Sequence, residues 1–337
     1  MPKETPRTGK HRARTLILGV VVVLLLAELI TRAIGSNLPA PLQWQSYETQ
    51  RKVQQIDALS KKGGVPVVFL GSSLPEVGIA PKIIDEQIGH GVKSYDAALA
   101  SSIPRMTTAW AESVVIPKLH PRVLVLGVGA YDLGAEGGAS RTAFYNAFLG
   151  SAGAKQAMGT EDAIQKANRW LGQQSALWFH KDQLRDPETV ARAVLGRTPP
   201  TDPEAADLDK DGRQTIDQFA AFSNQSRVDV TDWSPGQKDM DAVKQLITYA
   251  HKRGITVVLV DMPVTNQLVD RMPHGQASYQ EFKFLLGAIG EDSHTKVLYF
   301  DQIRSDSLFL DDIHLNHAGT DLFSTELGTA LKPLVGR

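Results

Sequence analysis

Two short stretches of this chain carry residue types that could do covalent chemistry, and they lie at opposite ends of it. The first is Gly71-Ser72-Ser73, which ends the apolar run "VPVVFL". The second is "DDIHLNHAGT", in which Asp311 precedes His314 by three residues. A serine hydroxyl is a weak nucleophile until a base removes its proton. The base in turn needs a carboxylate to fix its ring and stabilise the imidazolium. A D-x-x-H turn can supply both from one loop. Of the nine histidines, only His314 has an aspartate three residues before it. Glu291 and His294 in "EDSH" have the same spacing, but they precede a strand, which puts them on the opposite sheet edge.

Those residues need a frame that brings residues 73 and 314 together. Apolar runs rich in Val, Ile and Leu recur at "VPVVFL", "VKSYDAAL", "RVLVLGVG", "ITVVLVDM" and "KVLYF". Helical patterns separate them: "PKIIDEQIG", "RMTTAWAESVVIPKL", "DMDAVKQLITYAHKRG", "SYQEFKFLLGAIG" and "AGTDLFSTELGTALKPL". Continuous apolar strands alternating with helices predict a three-layer, flavodoxin-like α/β fold with a parallel five-stranded sheet covered on both faces. Ligands bind at the carboxyl ends of such strands. Both candidate stretches follow a strand, so both fall on that edge.

Residues from about 133 to 232 break the rhythm. They lack a strong strand run and include helical pieces such as "TEDAIQKANRWLG" and "PETVARAVLG". A structureless loop of that length is improbable. The segment is therefore expected to be a mainly helical insertion, leaving from the third strand and overhanging the Ser73 edge. Trp170, Trp178 and Phe179 would then line a pocket or form the insertion's own small core.

Composition narrows the classes. The 337-residue chain is 42% hydrophobic and 22% charged, a globular balance. A formal charge of -1 gives no electrostatic case for nucleic acid. With no cysteine there is no disulfide, thiolate metal site or cysteine nucleophile. The N-terminus carries Lys3, Arg7, Lys10, Arg12 and Arg14 against Glu4, and nothing is charged from Thr15 to Ala27. The reading is a basic cytoplasmic tail over 1–14 and a transmembrane anchor over 15–34, with the rest extracytoplasmic. Thr31-Arg32-Ala33 is a poor cleavage site, which favours an uncleaved anchor over a signal peptide. A linker and polar helix follow over 35–64, then one domain over 65–337.

The two stretches together resemble the blocks of the SGNH (GDSL-like) hydrolase superfamily, in particular its membrane-anchored, envelope-modifying members. Gly71-Ser72-Ser73 looks like that family's Gly-Asp-Ser, with Ser73 in the nucleophile's place. Asp311 to His314 looks like its Asp-x-x-His, continuing as "HLNHAG". The resemblance covers roughly residues 65–132 and 236–335. It implies a Ser73-His314-Asp311 triad without a cofactor. It also implies acyl transfer on an acylated glycan or small ester, by hydrolysis or by transfer, and leaves room for a membrane acyltransferase partner. Two middle blocks depart from the pattern. Where a glycine N–H usually helps hold the oxyanion, "DAALASSIP" offers Ala100 or Ser101. Where Gly-x-Asn-Asp is usual, "GVGAYDLG" has Tyr131 beside Asp132, so the asparagine donor is missing or replaced. The competing class is a glycan-binding or assembly protein that kept the fold and lost the chemistry.

Two further patterns bear on metals. His314 and His317 form H-x-x-H with no further ligand at sensible spacing. Asp207, Asp209, Asp211 and Gly212 open like an EF-hand calcium loop, but Gln218 stands where a glutamate is needed, and Arg213 adds positive charge. A solvated Asp-Gly turn is the reading taken.

Overall fold

The computed structural model describes residues 8–135, 139–197, 207–215, 222–223 and 225–335, with side chains placed from residue 13 onward. Lys3, Glu4 and Arg7 of the basic tail, and Gln218 of the calcium-like loop, lie outside the described residues. The chain divides into two compact units, residues 1–43 with 160–201, and residues 44–159 with 202–337.

The second unit holds the sheet. Its strands are β1 (Val67–Leu70), β2 (Ser94–Asp96), β3 (Val123–Val128), β4 (Thr256–Asp261) and β5 (Lys296–Tyr299). All pair in parallel, in the order β2-β1-β3-β4-β5. This is the five-stranded flavodoxin-like sheet expected from the alternating pattern. Every residue of β1, β2 and β3 is buried, whereas the edge strand β5 is partly exposed. Strands buried on both faces need no inside–outside alternation, which is why β1 and β3 read as unbroken apolar runs, whereas the polar side chains of β2 are buried with hydrogen-bond partners.

Helices α2 (Tyr47–Ser60), α3 (Ser73–Gly78), α4 (Pro81–Ile88), α5 (Pro104–Trp110) and α6 (Ile116–Leu119) belong to this unit. A π turn at Ala111–Val115 joins α5 to α6, just ahead of Pro117, which has no N–H to continue the ladder. The stretch 133–232 is divided between the two units. Helices α7 (Ala139–Gly150) and α8 (Ala152–Met158) belong with the sheet, and Phe148 stacks on Trp44 with ring centroids 5.9 Å apart. Residues 207–215 form a small turn against β2: Asp96 donates its N–H to the Asp211 carbonyl at 2.8 Å. Gly212 sits at φ +86°, where a Cβ would strike the Asp96 carbonyl at 2.2 Å, so this turn requires glycine.

The first unit contains α1 (Thr8–Ile34), α9 (Ala163–Gln174), α10 (Ala176–Phe179) and α11 (Pro187–Val194). Among the described residues one helix, Ala13–Asn37, is long and apolar enough to cross a membrane, and its leucines and valines are exposed. Trp170, Trp178 and Phe179 are exposed as well, at 59%, 39% and 42%, so they do not form a core of their own. The second unit closes with α12 (Gln237–His251), α13 (Asn266–Asp270), α14 (Gln276–Asp292) and α15 (His317–Val335). The N–H of Ala80, just before α4, donates to Ser324 Oγ of α15 at 2.9 Å, tying the last helix to the first candidate stretch.

Candidate functional site

β1 delivers Gly71 to the carboxyl edge of the sheet at φ +144°. A Cβ there would meet the Gly127 carbonyl of β3 and the Pro75 ring, each at 2.5 Å, so only glycine allows the chain to turn this tightly. Ser72 then caps α3: its Oγ accepts from the Leu74 N–H at 3.5 Å and donates to Asp132 Oδ2 at 3.2 Å. Ser73 is the first residue of α3. Its N–H therefore has no intrahelical acceptor.

The second stretch is shaped by Asp311. Its Oδ1 accepts from the N–H groups of Ile313 at 3.0 Å and His314 at 2.8 Å, an Asx turn that wraps the chain round the carboxylate. That turn brings His314 Nδ1 to 2.9 Å from Oδ2. An ionised carboxylate can only accept, so Nδ1 carries the proton and Nε2 of the neutral ring is the acceptor. Ser73 Oγ lies 2.9 Å from Nε2. Three residues spread over 241 positions thus form one hydrogen-bonded chain. Burial pushes the Asp311 carboxyl up, but the His314 ring and the two backbone N–H groups more than reverse this and hold it at about 2. Asp311 is therefore ionised throughout the range in which an imidazole titrates.

The structure adds Arg227 to this group. Its Nε donates to Asp311 Oδ2 at 3.0 Å, and its N–H donates to Asp312 Oδ1 at 3.1 Å. The guanidinium is largely exposed, a cation at the mouth of the site. No sequence signal marked Arg227, because it lies in the irregular stretch after 207, where neither period of two nor period of 3.6 operates.

The middle positions fall as follows. Ser101 takes φ +60°, the left-handed conformation that a glycine adopts without cost. Ala100 donates its N–H to Glu48 Oε1 at 3.4 Å. Asp132 is buried and accepts from the Gly129 N–H at 2.9 Å, from Ser72, and from Arg141 at 2.6 Å. Arg141 also donates to the Ser102 carbonyl and lies over the Tyr131 ring, 4.3 Å from its centroid. Asp132 and Arg141 thus brace the Ser72 and Ser102 turns from behind, and Tyr131 covers the guanidinium. Glu291 and His294 precede β5, at the other edge.

Under these turns lies a buried group of charges that sequence reading did not detect. Lys52 of α2 pairs with Glu76 of α3 at 2.8 Å, both fully buried, and donates to the Ala98 carbonyl. Glu48 and Asp96 are buried beside them. Burial, reinforced by Glu76, raises the Glu48 carboxyl well above its ordinary range. Burial raises Asp96 to about 8, with Lys52 opposing it. Asp96 Oδ1 accepts from the Ala98 N–H at 2.9 Å. The sign of the pH dependence follows. Asp96 binds its proton more tightly folded than unfolded, so its contribution is full below about pH 4. It is lost as pH rises toward 8, at up to about 1.4 kcal/mol per pH unit. Asp96→Asn keeps the oxygen acceptor and removes the titration. Thermal melts between pH 4 and 8 should therefore fall less steeply for the variant. Parallel profiles would show that Asp96 does not titrate in this window.

Several groups of the two metal-like patterns have protein partners. Asp209 turns its carboxylate onto the N–H groups of Asp211 at 2.8 Å and Arg213 at 3.1 Å. The Asp207 carbonyl accepts from Thr215. His317 Nδ1 contacts Asp321 Oδ2 at 3.1 Å, one turn along α15.

No protein-family model matches the chain, and no curated protein matches it. Among solved structures, a GDSL-like lipase from Bacteroides thetaiotaomicron is similar at 12% identity and a TM-score of 0.43, covering 85% of this chain and 98% of that one. A carbohydrate acetylesterase from Sinorhizobium meliloti is similar at 11% identity and a TM-score of 0.40, covering 80% and 98%. An acetyl xylan esterase is similar at 13% and 0.42, covering 79% and 100%. Likeness at this level assigns no activity, which has to be argued from the site itself.

Proposed function

We propose that the protein is a serine-dependent O-acyl esterase or O-acyltransferase, anchored by α1, that acts on cell-envelope polysaccharide or glycolipid. The observation that carries this is the continuous contact from Ser73 Oγ through His314 to Asp311, at 2.9 Å and 2.9 Å. His314 Nε2 takes the proton as Ser73 Oγ attacks the ester carbonyl carbon. The carbonyl oxygen gains the negative charge, and this reading assigns the Ser73 N–H, which has no intrahelical acceptor at the start of α3, as its first donor. When the tetrahedral adduct collapses, the C–O bond to the leaving alcohol breaks and His314 returns the proton to that oxygen. Water or a sugar hydroxyl then gives its proton to His314 and attacks acyl-Ser73; as the Ser73 Oγ–acyl bond breaks, His314 returns the proton to Oγ, restoring the serine. Hydrolysis and transfer share the first half and differ only in the acceptor. The partners this reading calls for are an acylated glycan or small ester, the lipid bilayer and, for transfer, a membrane acyltransferase that supplies the acyl group.

A specific observation favours the second reading, a glycan-binding or assembly protein. The Ala100 N–H is directed at Glu48, and Tyr131, which stands where the resemblance expects the asparagine donor, lies against the Arg141 guanidinium. One experiment separates the readings. The full-length protein in detergent is treated with a serine-reactive phosphonate and digested, and the labelled peptide is identified by mass. A stoichiometric adduct on Ser73, with turnover of p-nitrophenyl acetate, is the result expected of the enzyme. No adduct and no turnover, with acylated glycan still bound, is the result expected of the binding protein.

A further inference from the structure

We infer that residues 163–195 form a platform seated in the headgroup and acyl boundary of the membrane leaflet where α1 ends. The inference rests on Thr15–Ile34 being a membrane span and is independent of the catalytic reading. It begins with a mismatch in length. The charge-free stretch from Thr15 to Ala27 is roughly 20 Å long at 1.5 Å per residue, whereas the hydrocarbon core is about 30 Å thick. A span of adequate length must therefore run on to about Ile34. Glu28 then lies roughly 9 Å along the axis inside that end. A carboxylate at this depth is costly unless it is paired.

Glu28 is paired, and its partners come from the other part of the unit. Its Oε2 accepts from Ser175 Oγ at 2.7 Å and from the Leu177 N–H at 2.9 Å. Its Oε1 accepts from the Ala176 N–H at 2.9 Å and from Arg32 Nε at 2.7 Å. Arg32 in turn donates to the Gln174 carbonyl at 3.0 Å. Nearer the end of the span, Asn37 donates to the Ala193 carbonyl at 3.0 Å. Residues 174–177 are thus fixed at the depth of Glu28, and residue 193 at about the depth of the span's end. Whatever surrounds this part of α1 also surrounds them.

Their surface suits that position. Ile164, Trp170, Trp178, Phe179, Val194 and Leu195 are all exposed. On α9, Ile164, Ala167, Trp170 and Leu171 fall on one side of the helix, and Lys166 and Arg169 on the other. Lys181 lies over the Trp178 ring, 4.7 Å from its centroid, which pairs a cation with an amphipathic ring of the kind enriched where lipid meets water. Exposed apolar side chains joined to a span by a network of charge-assisted hydrogen bonds continue the surface that the span already presents to lipid. The occupant is therefore the bilayer itself, and the segment lies on it as an interfacial helix cluster does.

Tryptophan emission reports this directly. The other three of the five tryptophans, Trp44, Trp110 and Trp233, are buried in the second unit. The full-length protein is reconstituted in phosphatidylcholine vesicles with ordinary or brominated acyl chains. Brominated lipid is expected to quench part of the emission, and the double variant Trp170→Phe with Trp178→Phe is expected to lose that quenchable part. Glu28→Leu, which lengthens the apolar stretch but deletes the acceptor for residues 175–177, is expected to lose much of the quenching while staying in the vesicles. Equal emission in both lipids from protein that resists alkaline carbonate extraction would overturn the platform and leave the span standing. Blue-shifted, unquenched Trp170 and Trp178 emission that appears only with a second membrane protein would overturn it too, because that face would then be a protein interface. Release by carbonate would overturn the span, and the platform with it.

Discussion

Ser73→Ala is expected to lower p-nitrophenyl acetate turnover by about 10⁴-fold or more and to abolish the acyl-enzyme, whereas Ser72→Ala still forms the acyl-enzyme and loses only about tenfold in turnover. The two serines are adjacent, but the start of α3 gives them different partners. Ser73 Oγ reaches His314 Nε2 at 2.9 Å. Ser72 Oγ is turned the other way, onto Asp132 and the Leu74 N–H. Losing Ser72 removes a helix cap, worth about 1 kcal/mol, and one donor to Asp132. Its effect should therefore appear as a lower melting temperature and about a tenfold loss in rate. Intact-mass measurement after a rapid quench reads the acyl-enzyme, and initial rates read turnover. If Ser72→Ala is the dead variant, the nucleophile has been assigned one residue too late. If both variants turn over normally, no serine at this turn is the nucleophile.

Lys52→Met is expected to be the most damaging single change in the fold, costing about 3–5 kcal/mol against a total stability on the order of 5–15 kcal/mol. Lys52 is fully buried and is the cation paired with Glu76. Three carboxyl groups, from Glu48, Glu76 and Asp96, act on it, and together they raise its ammonium pKa although burial alone would lower it. Methionine fills similar space without charge, so the loss is electrostatic. The remaining carboxylates can relieve it only by taking protons, and the deficit should therefore be larger at pH 8 than at pH 5. Adding Glu76→Gln to Lys52→Met should recover part of the loss, because the uncompensated carboxylate goes with it. Thermal unfolding of the three variants at the two pH values tests this. A deficit independent of pH, with no recovery in the double variant, would mean that Lys52 acts by packing alone. Glu76 shares α3 with Ser73, and Ala98 lies just before the Ala100-Ser101 turn, so the cluster fixes both sides of the nucleophile's surroundings. Activity should fall together with stability.

The sheet, its strand count and the two stretches at its carboxyl edge are all determined by local sequence. Buried parallel strands have to be apolar on both faces, so β1, β3 and β4 announce themselves as Val/Ile/Leu runs. A tight turn after such a strand demands Gly71, and the spacing of Asp311 and His314 fits within a single Asx turn. Each of these constraints acts over a few residues. What reaches across the chain had no such signal. Arg227 comes to Asp311 from an irregular segment, Arg141 reaches Asp132 and Ser102 from α7, and Lys52 reaches Glu76 and Ala98 from α2. A charged residue on a helix reads in sequence as solvated. Whether it is buried and paired depends on which carboxylate the fold sets opposite it, and only tertiary packing decides that. The same holds for the stretch after the third strand. Its helical pieces are legible from their caps and periodicity, but its division between two units follows from the bonds of Glu28, Arg32 and Asn37 with residues more than a hundred positions away.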